Sequence, residues 1–472
     1  MTPPINPPVR QPIRWGRVAA WTGGALTLLA FVGYFLSTFL LNRYLRSEAF
    51  RTLVSEKTAA FFRVEGEYQP IHNNGFSFYS DGYDARGEAG SPLKGLRADQ
   101  IRADFEPAAL FEGAWQVSNV QIQRVKITLS NLSPQPTAPA FGFGAPSSAA
   151  ASSGRQFSWI PNRFELKRAR IEEADFQWSA PVGTGSLRQM RLLLEPSGHD
   201  LLVTGYGGRL QQAGCPEFTV DHLKLRCSPQ RLFLTDSLLH LGEAESFEVS
   251  GQADRGAARA LDLLVKFNGV SITPFLPVDW RARVKGNASG DAHITGSFAD
   301  AASMEARGTL ALAGAQLEAL PLLDRIANFT STRQFRQFAL QKAEAAFVWT
   351  KAKLTVSKLI AESEGLIRLE GGCTVERGTL QGAFQLGVTP SSLRWLPGSR
   401  ERVFTQDRDG YVWTTLQISG PLDRLHEDLS ERLVAAAGQE IIDGVKGSVE
   451  TGTKVIESGA KTLFDLLKTS TP

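Results

Sequence analysis

Only three cysteines occur in 472 residues, Cys215, Cys227 and Cys373, which excludes a disulfide scaffold and a cysteine-rich zinc site. Cys215 and Cys227 flank "EFTVDHLKLR", a stretch that reads as one continuous strand and would hold them roughly 35 to 40 Å apart at about 3.3 Å per residue, so they are not paired here. Charge of one sign is also lacking: the formal net charge is +3, with Lys and Arg scattered through turns and polar strand faces, which leaves no electrostatic footprint for nucleic acid. The six histidines show no metal spacing, and "HEDLS" at His426 lacks the second histidine of a zincin helix. No nucleophile elbow, Walker A loop or dinucleotide glycine pattern occurs. "DRDG", Asp407 to Gly410, starts like a calcium loop but puts Ile418 at the twelfth position, so it reads as a hairpin turn. These absences leave no catalytic residue, metal or cofactor to name, and an enzyme is not expected.

One long apolar run is present. "VAAWTGGALTLLAFVGYFLSTFLL", Val18 to Leu41, carries no charge and includes Trp21, Leu29 and Phe35. As a helix it would reach about 36 Å, enough to cross a bilayer core of roughly 30 Å with some tilt. Trp15 and Tyr44 flank it where interfacial aromatics sit, and "NRYLRSEAF" follows where a signal peptide would show small residues at a cleavage site. An uncleaved single-pass anchor at 18–41 is therefore expected, after a proline-rich, disordered cytoplasmic tail at 1–17. Arginines lie on both sides of the span, so charge alone leaves its orientation open.

Helical periodicity is scarce beyond the span. Only Leu317 to Phe329 and the segment from about Leu422 read as helices; the rest is strand after strand, punctuated by Gly, Asn, Asp and Ser. "AEAAFVWTKAKLTVSKLIAESEGLIRLEGGCTVERGTLQGAFQLGV", Ala343 to Val388, repeats a period of two through four short runs, the pattern of a meandering antiparallel sheet with one apolar face. The Pro/Ala/Ser/Gly-rich stretch 133–156 reads as a disordered loop between strands. One 13-residue helix is too little to cover an apolar face contributed by some twenty strands. Either the sheet curls so that this face lines its own interior, or the face meets an apolar ligand.

The phrases "LNRYLRSEAFRTLVSEKTAAFFRVEGEY" and "LRADQIRADFEPAALFEGAWQVSNVQIQRVKITL" resemble the start of AsmA-like proteins. The stretch from "VSITPFLPVDW" through "GTLALAGAQLEALPLLDRIANF" to the Ala343 to Val388 meander is similar to the C-terminal AsmA-like module. The resemblance implies a bacterial inner-membrane protein with its bulk in the periplasm. Through the kinship of that family with TamB-like and bridge-like lipid-transfer proteins, it also implies movement of phospholipid along a β-sheet groove in support of outer-membrane biogenesis. The expected organisation is an N-terminal AsmA-like β module at 42–132, a middle β-sheet region at 157–280, a C-terminal AsmA-like β module at 281–420 and an amphipathic helical tail at 421–472.

The expected fold is thus mainly β: a transmembrane helix followed by an elongated, curved antiparallel sheet with a groove, one short helix and a C-terminal amphipathic helix. An apolar strip suffices for such a groove, and Val120, Ile122, Phe347, Trp349, Leu354, Val356, Leu369, Leu380, Phe384 and Leu386 are its candidate lining. Ordinary core packing is the competing role for each. The expected partners are the membrane, through the span, and phospholipid. An anchored scaffold that modulates outer-membrane protein or glycan assembly through envelope protein partners is the alternative. The tail reads as a helix that lies on a membrane, plugs the end of the trough or packs on the sheet; six basic residues against nine acidic ones from Pro421 onward argue against anionic lipid.

Overall fold

The structure, a computed structural model, describes residues 43–62, 64–87, 93–112, 114–130, 163–180, 183–256, 259–276, 278–318, 337–393, 398–436 and 438. The expected span at 18–41 and the expected loop at 133–156 lie outside them. Among the described residues no helix is long and apolar enough to cross a membrane.

Among the described residues, alternating side chains and turn residues give 24 strands in one sheet. In the first half these are β1 (Val64–Tyr68), β2 (Ile71–Asn74), β3 (Ser77–Gly87), β4 (Leu93–Glu106), β5 (Ala114–Leu129), β6 (Arg163–Leu166), β7 (Ala169–Ala180), β8 (Gly183–Ser197), β9 (Asp200–Tyr206), β10 (Arg209–Gln212), β11 (Phe218–Cys227) and β12 (Arg231–His240). The second half comprises β13 (Ser246–Asp254), β14 (Ala260–Ser271), β15 (Val284–Ser297), β16 (Asp300–Glu318), β17 (Gln337–Leu340), β18 (Lys342–Thr350), β19 (Lys353–Ser363), β20 (Ile367–Glu376), β21 (Thr379–Val388), β22 (Gln406–Arg408), β23 (Tyr411–Pro421) and β24 (His426–Glu427).

Five short pairs, β1 with β2, β6 with β7, β9 with β10, β17 with β18 and β22 with β24, each share one flank of a common neighbour, so the 24 strands make 19 rungs. The rungs follow chain order and the sheet is long and curved. The expectation of a wholly antiparallel sheet needs one correction: β5 pairs in parallel with β6 and β7. A parallel step requires a crossover of a dozen or more residues, and the sequence places 33 residues between Leu129 and Arg163.

Bulges and glycine kinks bend the ladder. Register shifts interrupt the β11–β12, β12–β13, β14–β15, β15–β16, β18–β19 and β19–β20 pairings. Gly371, in mid-strand at a φ of 149°, sits where a Cβ would collide with the Ala383 carbonyl oxygen, so the bend there admits no side chain. The "DRDG" stretch is the hairpin turn it reads as: β22 and β23 pair across Asp409 and Gly410, whose φ values of 53° and 80° fit a tight two-residue connection.

Among the described residues helices are few: one precedes the sheet, one lies midway along it and the others stand near its C-terminal end. The 15-residue α1 (Glu48–Phe62) was not among the expected helices. Ser47 caps it, accepting from the Phe50 N–H at 3.3 Å, and Phe50 is buried with Leu45, Phe78 and Trp115. Short α2 (Val278–Arg281) lies between β14 and β15, and α3 (Ser399–Arg402) precedes β22. Two helix boundaries are corrected. Leu317 and Glu318, expected to open a helix, finish β16, because they pair with Phe338 and Gln337; the remainder of that segment lies outside the described residues. The tail does not turn helical near Leu422: β23 runs to Pro421, β24 returns along it, and helix begins at 429 and is described to 436. Most of the expected helix at 421–472 therefore lies outside the described residues.

Candidate functional site: an apolar face open along its middle

Residues directly opposite one another in a sheet share a face, so the pairings trace continuous rows of side chains. One row begins Phe78, Ala103, Val120, Ala169, Leu194, Val203, Leu225, Leu234. It continues Gly251, Leu263, Ile294, Ala306, Trp349, Leu354, Val375, Leu380, Gly420. Each of 17 successive rungs, from β3 to β23, contributes one residue, and none is polar. Sixteen steps of about 4.8 Å make the row at most about 77 Å long.

A second row, Val249, Val265, Ala292, Gly308, Phe347, Val356, Cys373, Gly382 and Ile418, runs beside it. Near the other end Ile101, Ile122, Ile171, Leu192, Gly205 and Leu223 form another. The face behaves as a low-dielectric surface: loss of hydration raises the Cys373 thiol above its usual pKa and pushes the Cys227 thiol, which sits between Leu201 and Leu232, up to about 11. Burial favours the neutral thiol at both, so they sit on this face as small hydrophobes.

Burial divides this face into three parts. At the N-terminal end α1 covers it, and Val64, Tyr83, Ala98, Val125, Ala174, Met190 and Leu192 form a closed core with Ala59 packed against them. The C-terminal end is closed by Leu393, Val403, Phe404, Leu429 and Ala436 over Phe384, Leu386, Val412 and Leu416. Away from the caps the first row is apolar and only partly buried: from Leu194 to Gly420 every member is half-buried except Trp349, which is 43% exposed.

All ten candidate residues fall on this one face. Val120, Ile122, Phe347, Leu354, Val356, Leu369 and Leu380 are half-buried and Trp349 stands out from the rim. Phe384 and Leu386, at 7% and 2% exposure, are corrected: they lie beneath the C-terminal cap and serve as core, so they do not line an open face. Leu194, Val203, Leu225, Leu234, Leu263 and Ile294 are missing from the candidate set although they belong to the first row. The period-two pattern marks each as an inward position; only the register reveals that they are collinear with Trp349.

The opposite face carries charge in cross-strand pairs. Arg124 donates to Glu173 at 3.0 Å, Lys224 to Asp236 at 2.9 Å, and Arg408 and Arg368 hold Glu370 at 2.6 and 2.8 Å. His222 places its ring nitrogens 2.9 Å from Asp221 and 3.2 Å from Asp236, and the bond to Asp221 heads the influences that raise its pKa. Depressions of about 1050 and 390 Å³ lie on this polar side. The larger mixes Glu65, Glu67 and Asp84 with Arg86, Lys94, Arg97 and Lys126 around β1 and β3 to β5, a lining with neither a single sign of charge nor an apolar floor. Among the described residues no cluster of His, Cys, Asp and Glu is placed to hold a metal. The open apolar face is therefore the candidate site.

Compared with family models, curated proteins and solved structures, the chain matches none.

Proposed function

We propose that this protein is a membrane-anchored, AsmA-like protein of the bacterial envelope, its bulk periplasmic, whose half-open apolar face shields or conveys phospholipid acyl chains in support of the outer membrane. One observation carries this reading: an unbroken apolar row across 17 rungs that stays only partly buried from Leu194 to its last member, Gly420, while caps close neighbouring positions of the same face at the two ends of the sheet. Hydration of acyl chains is unfavourable by about 0.8 kcal/mol per methylene, so a lipid with roughly 30 of them gains about 20 kcal/mol or more in an apolar lining. No residue needs to react. Non-enzymatic binding accounts for the arrangement without a nucleophile, base or metal.

Leu263 and Leu264 provide a matched test, being adjacent in β14 and pointing to opposite faces: Leu263 lies in the row, and Leu264 is 55% exposed on the charged face. A photo-crosslinking amino acid placed at Leu263 or Leu354 of the full chain in intact cells is expected to capture phospholipid, identified by mass spectrometry. The same probe at Leu264, or at capped Phe384, is expected not to. Equal lipid capture from Leu263 and Leu264, or none from either, would overturn the reading. The anchored-scaffold reading draws on Leu202, Tyr206 and Leu264, which project from the charged face at 40%, 48% and 55% exposure. Protein capture from Leu264 with no lipid at Leu263 would favour it.

A further inference from the structure

Between β14 and β15 the chain leaves the sheet edge through residues 272–283, a longer excursion than the turns at 241–245 and 364–366 on the same edge. Phe275 is 47% exposed and Val278 is 75% exposed, the highest value among the large apolar side chains left open to solvent in the described residues. They stand three residues apart on a tip whose described stretches, 272–276 and 278–283, are tied by hydrogen bonds. Thr273–Phe275 forms a turn of 3₁₀ helix with Pro274 at its centre, Phe275 N–H donates to Ile272 O at 3.0 Å, and Arg281 Nε donates to Leu276 O at 2.9 Å. This is a formed surface that keeps its apolar residues outward.

Charge on the tip points to one class of partner. From Ile272 to Arg283 the sequence holds Arg281 and Arg283 against Asp279 alone. The neighbouring turn at 241–245 carries Glu245, which accepts from the Ser271 N–H at 3.1 Å, and exposed Glu243. Two apolar side chains in front and cations just behind are the arrangement by which an interfacial segment enters the acyl boundary while its cations meet phosphate. We infer that the 272–283 tip docks on the surface of an anionic phospholipid bilayer, with Phe275 and Val278 inserted and Arg281 and Arg283 at headgroup level. The tip sits midway along the ladder, so docking would lay one sheet edge along the bilayer, with the apolar face beside it. This inference does not depend on lipid occupying that face.

The test uses the full chain carrying Cys215→Ser and Cys373→Ala, with buried Cys227 left in place, and an environment-sensitive fluorophore on Val278→Cys. Vesicles of phosphatidylcholine with or without phosphatidylglycerol, some carrying nitroxide-labelled acyl chains, are added. The expected result is a blue-shifted emission quenched by the nitroxide, stronger with phosphatidylglycerol, and absent when the label sits at Ala352→Cys on the opposite edge. Arg283→Gln should weaken the phosphatidylglycerol-dependent part about fivefold, and Phe275→Ser the whole response roughly tenfold. Water-like emission at position 278, or quenching equal to that at position 352, overturns the inference. So does a blue shift that the nitroxide does not quench, which is the signature of a protein cover. Because Val278 and Ala352 are both exposed, neither label disturbs a packed core. A negative result here leaves the Leu263 crosslinking test intact, and the converse holds.

Discussion

At the scale of single residues, the two faces obey different physics. Phe384 lies over Gly371 and Gly382, which lack the Cβ that would meet its ring, so large and small side chains alternate across the bent inner face. On the charged face the exposed pairs each contribute at most about 1 kcal/mol. His222 is the group there with a readable pH signature. Its pKa is raised by the hydrogen bond to Asp221 and, further, by Asp236, so the charged ring is favoured in the folded state. That stabilisation is complete below the unfolded value near pH 6.5 and is lost as pH rises through the higher folded value. Replacing His222 by Asn should therefore lower the Tm at about pH 5.5 and change it little at about pH 9. A Tm loss of equal size at both values would remove the charge argument. The residue types on both faces are legible in the sequence: alternation assigns Phe347 inward and Val348 outward, as the structure has them.

At the scale of elements, the caps decide what is core and what is open surface. Leu429 is 1% exposed over Phe384 and Leu416, so Leu429→Ala should destabilise the C-terminal end by about 2 to 5 kcal/mol. Urea unfolding followed through Trp413, which is buried in β23, would register it. A shift of under about 0.5 kcal/mol would mean that the cap is dispensable. The caps were the least legible part of the fold. In "SEAFRTLVSEKTAAFF" the apolar spacing is broken by Ser55, Lys57 and Thr58, and α1 owes its stability to Phe50 meeting Phe78 and Trp115, contacts far apart in sequence. The four strands between Ala343 and Val388 were fully legible, since each carries its own alternation and its own turn. At Leu422, threefold and fourfold spacing continued through a segment that the chain spends on a turn and on β24, where pairing with Ile418 and Ser419 overrides helical periodicity.

At the scale of the whole molecule, backbone pairing among the described residues joins each rung only to its ladder neighbours, so stability is assembled largely locally, as in a solenoid, with side-chain bonds such as Arg408 to Glu370 and Tyr411 to Glu362 spanning several rungs at the C-terminal end. Hydrogen exchange on Leu429→Ala should accordingly show protection lost in β21 and β23 and unchanged in β3 to β5. Uniform loss over the sheet would indicate a single cooperative unit. The sequence disclosed that one face is apolar and that helices are too few to hide it. It did not disclose that the apolar positions fall into line, because collinearity depends on register, and register here is set by bulges such as those between Val356 and Leu359 or Leu234 and Leu238. The same alignment survives the parallel step, where Val120 meets Ala169 although the strand direction repeats. A row with one member per strand is a set of links in series. Any guest that travels its length must pass Leu225, Ile294 and Val375 in turn, so a charge introduced at any of them obstructs the whole passage equally. Under the proposed function, vulnerability to substitution is thereby spread over tens of ångströms, the reverse of a pocket, where a few positions matter and the rest are forgiving.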